Sequence, residues 1–186
     1  ILSDDGLQHW AMARDLEWIV LDTRYGVGNG QLLPAGLLRE PASRLQTATV
    51  IEHGVSTSLY QMQLAPQALQ GYHQPPDAQP PYAGQRVHAV AGIGDPSRFF
   101  RTLQALGFVL IEHPFDDHHA YQVQDVQFSD DLPVITTAKD AVKLADLSQP
   151  FWVLPVTAQL SPACYTLLQQ QLQALGVLPP PTRHPS

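Results

Sequence analysis

The sequence predicts an α/β fold with mostly parallel strands. Two observations carry that reading. From residue 86 onward, short apolar β-type runs alternate with helical patterns, as in a sheet whose crossovers are helices. The helical stretches also carry their own start and stop signals: Asp95-Pro96 and Ser161-Pro162 before them, Gly107 and Gly176 after them.

Each element follows from local pattern. The chain opens Ile1-Leu2-Ser3-Asp4-Asp5-Gly6. Two apolar residues running into acidic ones read as the last step of a buried strand, which normally needs about 4–8 residues. The expectation is a chain cut inside a core strand, a piece of something longer. Residues 6–14 are too few for a crossover helix and read as a turn. Residues 15–22 (DLEWIVLD) form a strand. Residues 23–36 hold Gly26, Gly28, Gly30, Gly36 and Pro34, a loop by composition. Residues 37–45 read as a short helix and 47–52 (TATVIE) as a strand. His53-Gly54 is a turn, and 58–64 (SLYQMQL) alternates as a half-buried strand does. Pro75, Pro76, Pro80 and Pro81 make 71–86 a linker or surface loop.

Beyond it, 86–93 (RVHAVAGI) is a strand. A helix capped by Asp95 follows, with Phe99, Phe100, Leu103 and Leu106 on its apolar face. Strands are expected at 108–112, 133–137 and 151–156, with a loop at 113–121 and a helix starting in TAKDAVKLA. Tyr165, Leu168, Leu172 and Leu175 give the last helix its apolar stripe. The tail 179–186 is expected to be disordered.

Composition narrows the function. The 186 residues carry a net charge of −7 and only two lysines, Lys139 and Lys143. That argues against binding of nucleic-acid phosphate as the main task. Prolines number 17, about 9% against a usual ~5%. The lone Cys164 excludes an internal disulfide framework and a Cys-rich zinc site. No stretch approaches the ~18 consecutive apolar residues of a membrane span.

Four constellations carry chemistry. Asp4 and Asp5, with Gln8 and His9 behind them, stand where an open α/β sheet binds ligands, at the end of a strand. Adjacent carboxylates there repel one another unless a cation is near. The second is the glycine-rich run leading to Arg39 and Glu40, whose backbone N–H groups suit phosphate, or simply form a loop. Asp116-Asp117-His118-His119 is the third; carboxylate beside imidazole suits an oriented base or a metal. Gly92-Ile93-Gly94-Asp95 is the fourth, and reads as a tight turn and helix cap, because Ser97 stands where a dinucleotide fingerprint needs glycine. No G-x-x-x-x-G-K-[ST] sequence occurs in the chain.

Taken in order, SDDGLQH (3–9), ARD (13–15), GNG and LLPAG with LRE (28–40), AVAGIGDPSRFF (89–100), FDDHHAY (115–121), TAKDAVK (137–143) and FWVLPV (151–156) resemble the tetraacyldisaccharide 4'-kinase, or lipid A 4'-kinase, family. The resemblance implies three parts: a P-loop kinase-like α/β core, a two-stranded linker and a smaller α/β C-terminal domain. On this chain they fall at residues 1–46 for the end of the core, 47–85 for the linker and Pro-rich loop, and 86–178 for the smaller domain.

The same resemblance implies transfer of the ATP γ-phosphoryl to the 4'-hydroxyl of a tetraacyldisaccharide 1-phosphate, with Mg²⁺. The setting it implies is a cleft between domains, at the cytoplasmic face of the bacterial inner membrane. It gives Asp4, Asp5 and His118 catalytic roles, and Asp5 and Glu40 the metal. Gln8, His9, Arg39, Asp117 and His119 go to substrate and phosphate. The base, the P-loop lysine and threonine, and the membrane-contacting segment lie upstream of Asp4 in the family. The 186 residues alone are therefore expected to be inactive. Leu37 departs from the family's usual proline, and Glu52-His53-Gly54 from an Asn-Gly-rich turn. Two rival readings stand beside this one: a DHH-type metal-dependent phosphoesterase built on Asp117-His118-His119, and a non-catalytic binding module.

Overall fold

The computed structural model describes residues 1–179. The tail expected to be disordered lies almost wholly outside the described residues. Nine strands are described: β1 Trp18–Asp22, β2 Thr49–His53, β3 Gln61–Pro66, β4 Gln70–Tyr72, β5 Arg86–Ala91, β6 Val109–Pro114, β7 Val134–Thr137, β8 Phe151–Leu154 and β9 Val156–Leu160. Four α-helices accompany them: α1 Pro96–Ala105, α2 Val123–Val126, α3 Ala138–Leu144 and α4 Pro162–Ala174. None of the described helices is long and apolar enough to cross a membrane.

The chain divides into two compact units. The first comprises Ile1–Gln63 and the chain from Ala158 onward; the second is Leu64–Thr157. This differs from the expected boundaries at 46 and 85. Trp18 Nε1 donates to Gln171 Oε1 at 2.9 Å, and Gln171 Nε2 donates to Thr49 Oγ1 at 3.2 Å. Those bonds tie α4 to β1 and β2, so the last helix belongs with the beginning of the chain. β3 and β9 are neighbours in one sheet. The strand expected over 151–156 ends at Leu154, and Pro155 separates it from β9, which begins at Val156.

In the first unit, β1 and β2 run parallel in register from Trp18 opposite Thr49 to Asp22 opposite His53. β2 and β3 are also parallel. Among the described residues, only Ile51 and Cys164 are buried hydrophobics here. Ile1 and Leu2 are exposed and form no strand. Two apolar residues make no ladder unless a neighbouring strand pairs with them, and no described strand does. The helix expected at 37–45 is also absent. Pro41 disfavours helical backbone at the residue before it. Leu33 N–H instead donates to Leu38 O at 2.9 Å, and a 3₁₀ turn spans Ala42–Gln46.

The second unit follows the expected pattern closely. Its sheet order is β4-β8-β7-β5-β6, parallel except for β4 against β8. β5, β7 and β8 are buried along nearly their whole lengths, as strands covered on both faces must be. One core cluster packs Phe99, Phe100 and Leu103 of α1 against Val87, Ala89 and Ala91 of β5. Another places Val90, Val134, Phe151 and Val153 against Ala141 and Leu144 of α3. Asp95 caps α1, accepting from the Arg98 N–H at 3.3 Å, and Thr137 caps α3, accepting from the Asp140 N–H at 3.1 Å.

Candidate functional site

Two clusters hold the residues singled out by the sequence, one in each unit. The first is built on turns. His9 N–H reaches Gly6 O at 2.9 Å, and Met12 N–H reaches His9 O at 3.2 Å. Arg14 organises this segment from one side: its Nη2 donates to the carbonyls of Gly6, Leu7 and His9 at 2.8, 2.9 and 3.2 Å, and its Nη1 to Glu17 at 2.9 Å. A guanidinium spans these acceptors because its donors form a rigid planar fork.

Asp5 and Arg39, 34 residues apart, meet here. Arg39 Nη1 donates to Asp5 Oδ1 at 2.7 Å and Nη2 to Oδ2 at 3.3 Å, a two-pronged pair. The Asp5 side chain is still 68% exposed, so the pair adds about 0–1 kcal/mol to stability. Glu40 is different. Its side chain is 8% exposed, Oε1 accepts from Gln8 at 3.3 Å and Oε2 from Arg44 at 3.2 Å. Arg44 in turn reaches Glu17. Asp4 and His9 are exposed.

The second cluster sits where β5 and β7 end. Phe115 N–H donates to Ala91 O at 2.8 Å, anchoring the loop that follows β6. Asp117 Oδ1 accepts from Lys139 Nζ at 2.6 Å and from the His118 N–H at 3.0 Å. The Lys139 bond, with the nearby His118, holds the Asp117 carboxyl below its ordinary value. The His118 ring is exposed, with Nε2 3.6 Å from Asp117 Oδ2. His119 points elsewhere: its ring nitrogen contacts Asp125 Oδ2 at 3.0 Å, tying the loop to α2. Asp125 is held below the usual carboxyl range, chiefly by the Gln122 N–H and then by His119.

Beneath the loop, Asp140 is wholly buried. Its Oδ2 accepts from Gly92 N–H at 2.9 Å and Thr137 Oγ1 at 2.8 Å, and Lys143 Nζ lies 3.2 Å from Oδ1. Gly92 has to be glycine: a Cβ there would lie 2.6 Å from the Tyr121 hydroxyl and 3.2 Å from Asp116 O. Burial, and then the Asp140 charge, keep Tyr121 protonated far above the usual phenol range.

Backbone geometry marks both clusters. Asp5 has φ 49° and His118 has φ 65°, left-handed values that non-glycine residues seldom adopt. Such residues cost of order 1–3 kcal/mol, persist only where their surroundings hold them, and concentrate at functional sites.

Of the residues singled out by the sequence, the structure pairs Asp5 with Arg39, Gln8 with Glu40 and Asp117 with the His118 N–H. Arg14, Glu17 and Arg44, which hold the first cluster together, and Lys139 and Asp140, which hold the second, were not singled out as site residues. Asp117, His118 and His119 do not converge on one point. Among the described residues, no three His, Cys, Asp or Glu side chains form a metal-binding group. The ligand set of a DHH-type phosphoesterase is not assembled by them.

A family model described as tetraacyldisaccharide-1-P 4'-kinase matches residues 1–173. The chain belongs to that family. The tetraacyldisaccharide 4'-kinase of Psychrobacter cryohalolentis is 43% identical over 217 residues, covering 95% of this chain and 58% of that protein. The one from Alkalilimnicola ehrlichii is 48% identical, covering 96% and 55%. The chain thus spans a little over half the length of the curated relatives it matches. It is also similar to the crystal structure of the Aquifex aeolicus LpxK in complex with ATP, with a TM-score of 0.66, 24% identity, and coverage of 92% of this chain and 56% of that one. At that identity the likeness is one of fold, and it bears out the expected α/β architecture. Family membership likewise favours the kinase reading over the phosphoesterase and the binding module.

Proposed function

We propose that this chain is the part of a tetraacyldisaccharide-1-phosphate 4'-kinase that supplies Asp5, Arg39 and His118. The reaction joins the 4'-oxygen of the lipid disaccharide to the γ-phosphorus of ATP and breaks the bond from that phosphorus to the β,γ-bridging oxygen. ADP leaves, and the hydroxyl proton passes to a base. The observation that carries the reading is the pairing of two distant motifs, Arg39 on Asp5 and Gln8 on Glu40, within a chain that the family model matches almost throughout.

Phosphoryl transfer asks a protein chiefly for positioning and charge compensation. Magnesium, when bound, neutralises charge on the β- and γ-phosphate oxygens. It prefers hard oxygen donors, often only one or two carboxylates besides the phosphates. Asp5 fits that description: its carboxylate is exposed, with Arg39 along one edge. Glu40 fits a positioning role better, since both its oxygens already hold Gln8 and Arg44. Arg39 keeps its charge at any working pH and can turn its fork from carboxylate to phosphate. His118, exposed on a held backbone, is suited to orient or charge-balance the proton acceptor. Asp4, His9 and Asp117 line these two clusters and steer substrate. His119, bonded to Asp125, holds its loop. An acyl-chain substrate resides in a bilayer, so the enzyme works at a membrane surface, which we assign to the cytoplasmic face of the inner membrane.

The phosphate-cradling G-x-x-x-x-G-K-[ST] is not among these 186 residues. The test is γ-labelled ATP with a tetraacyldisaccharide 1-phosphate acceptor. Residues 1–186 alone should label no lipid, and the same residues preceded by a P-loop segment should label the 4'-position. Labelling by 1–186 alone would overturn the need for that segment; none by the longer protein would overturn the kinase reading.

A further inference from the structure

Two adjacent residues of α3 grip the His118 loop from different directions. Lys139 reaches outward to Asp117 Oδ1 at 2.6 Å. That same oxygen accepts the backbone N–H of His118 at 3.0 Å. One carboxylate oxygen therefore joins the α3 cation to the backbone of a residue held in the left-handed region. Asp140 reaches inward and takes the Gly92 N–H at 2.9 Å, fixing the turn on which the loop lies. Phe115, bonded to Ala91 at 2.8 Å, fixes the start of the loop.

The Lys139–Asp117 pair is nearly half exposed on both sides, 46% and 41%. Exposed pairs of this kind add little to global stability. Its effect is local. Without Lys139, the Asp117 side chain is free to leave the His118 N–H, and among the described residues no other acceptor holds that amide. An unusual backbone conformation relaxes when the groups that over-determine it are removed.

We propose that Lys139 is a positioning residue for His118, acting through Asp117. The inference rests on the reading of His118 as part of the phosphoryl-transfer machinery. Two measurements test it. In residues 1–186, amide exchange at His118 should speed up by about tenfold or more in Lys139→Met and stay near wild type in Lys139→Arg, while the melting temperature barely moves. In the longer protein with its P-loop, Lys139→Met should lower kcat by about tenfold with KM for ATP little changed, and Lys139→Arg should recover most of it. Once His118→Ala is present, Lys139→Met should cost nothing further.

An unchanged His118 amide in Lys139→Met overturns the proposal. So does a loss of kcat that adds fully to that of His118→Ala, or an effect confined to KM, which would mark Lys139 as a direct substrate contact. The two failures are distinguishable: a wild-type longer protein without transfer overturns the kinase reading, and the amide result still decides the role of Lys139.

Discussion

Outside both clusters, a small network of imidazoles shows how single residues set the conditions in which this chain stays folded. His88 Nδ1 and His113 Nε2 are 2.8 Å apart, His88 Nε2 lies 2.8 Å from Asp130 Oδ1, and Phe128 stacks on both rings. Burial, and then the neighbouring His88, lower the pKa of His113 from 6.5. The unfolded chain regains the ordinary value, so it binds more protons than the folded one as pH falls. The contribution of His113 is therefore complete above pH 6.5 and is lost as pH falls toward the folded value. Asp130, held below 3.8 by His88, loses its contribution only in more acidic solution. The urea midpoint should decline between about pH 7 and pH 5 in wild type, and less steeply in His113→Gln. Identical slopes in the two proteins would contradict the assignment. Residue-scale features of this kind were not visible in the sequence. His88 and His113 are separated by a helix, and only the parallel register of β5 on β6 brings them together.

Among the elements, α1 was the most legible because every signal was local: Asp95 at the cap, Pro96 behind it, and an apolar face of helical period. Those signals rank two substitutions. Asp95→Ala should cost about 1 kcal/mol by removing the cap. Leu103→Ala should cost more, about 2–5 kcal/mol, because Leu103 is fully buried between α1 and β5. Chemical denaturation of the two variants checks the order, and equal losses would contradict it. Illegible elements are those that exist through partners. β4 is three exposed residues with no alternation, held by pairing with β8 and by Tyr72 stacking on Phe151 at 5.2 Å. β9 was not read at all: the expected strand at 151–156 stopped where β9 begins, at Val156. The first cluster was half legible. Its motifs located Asp5, Gln8, Arg39 and Glu40, but a pairing across 34 residues leaves no mark on local spacing, and neither does the Arg14 fork that holds the turns.

On the scale of the whole molecule, the two units differ in how well they are cored. Twenty hydrophobic residues are buried among those described, and only Ile51 and Cys164 belong to the first unit. A unit with so little buried apolar surface opens at lower cost than one with two packed clusters. Cys164 reports on this directly, since its thiol is fully buried against Ser161 and Gln61. It should react with a thiol reagent at denaturant concentrations where the amides of Val87, Ile135 and Val153 remain protected. Simultaneous loss of both protections would show one cooperative unit instead. The chain spans a little over half the length of the curated relatives it matches. We propose that Asp5 and His118 serve the 4'-kinase reaction, and the kcat of the P-loop-containing protein with Asp5→Ala or His118→Ala, measured on folded protein, tests this most directly. Each should fall by about 10²-fold or more, in line with the loss of a charge-positioning or proton-handling group. A kcat within about twofold of wild type for both variants would show that neither residue takes part in the transfer.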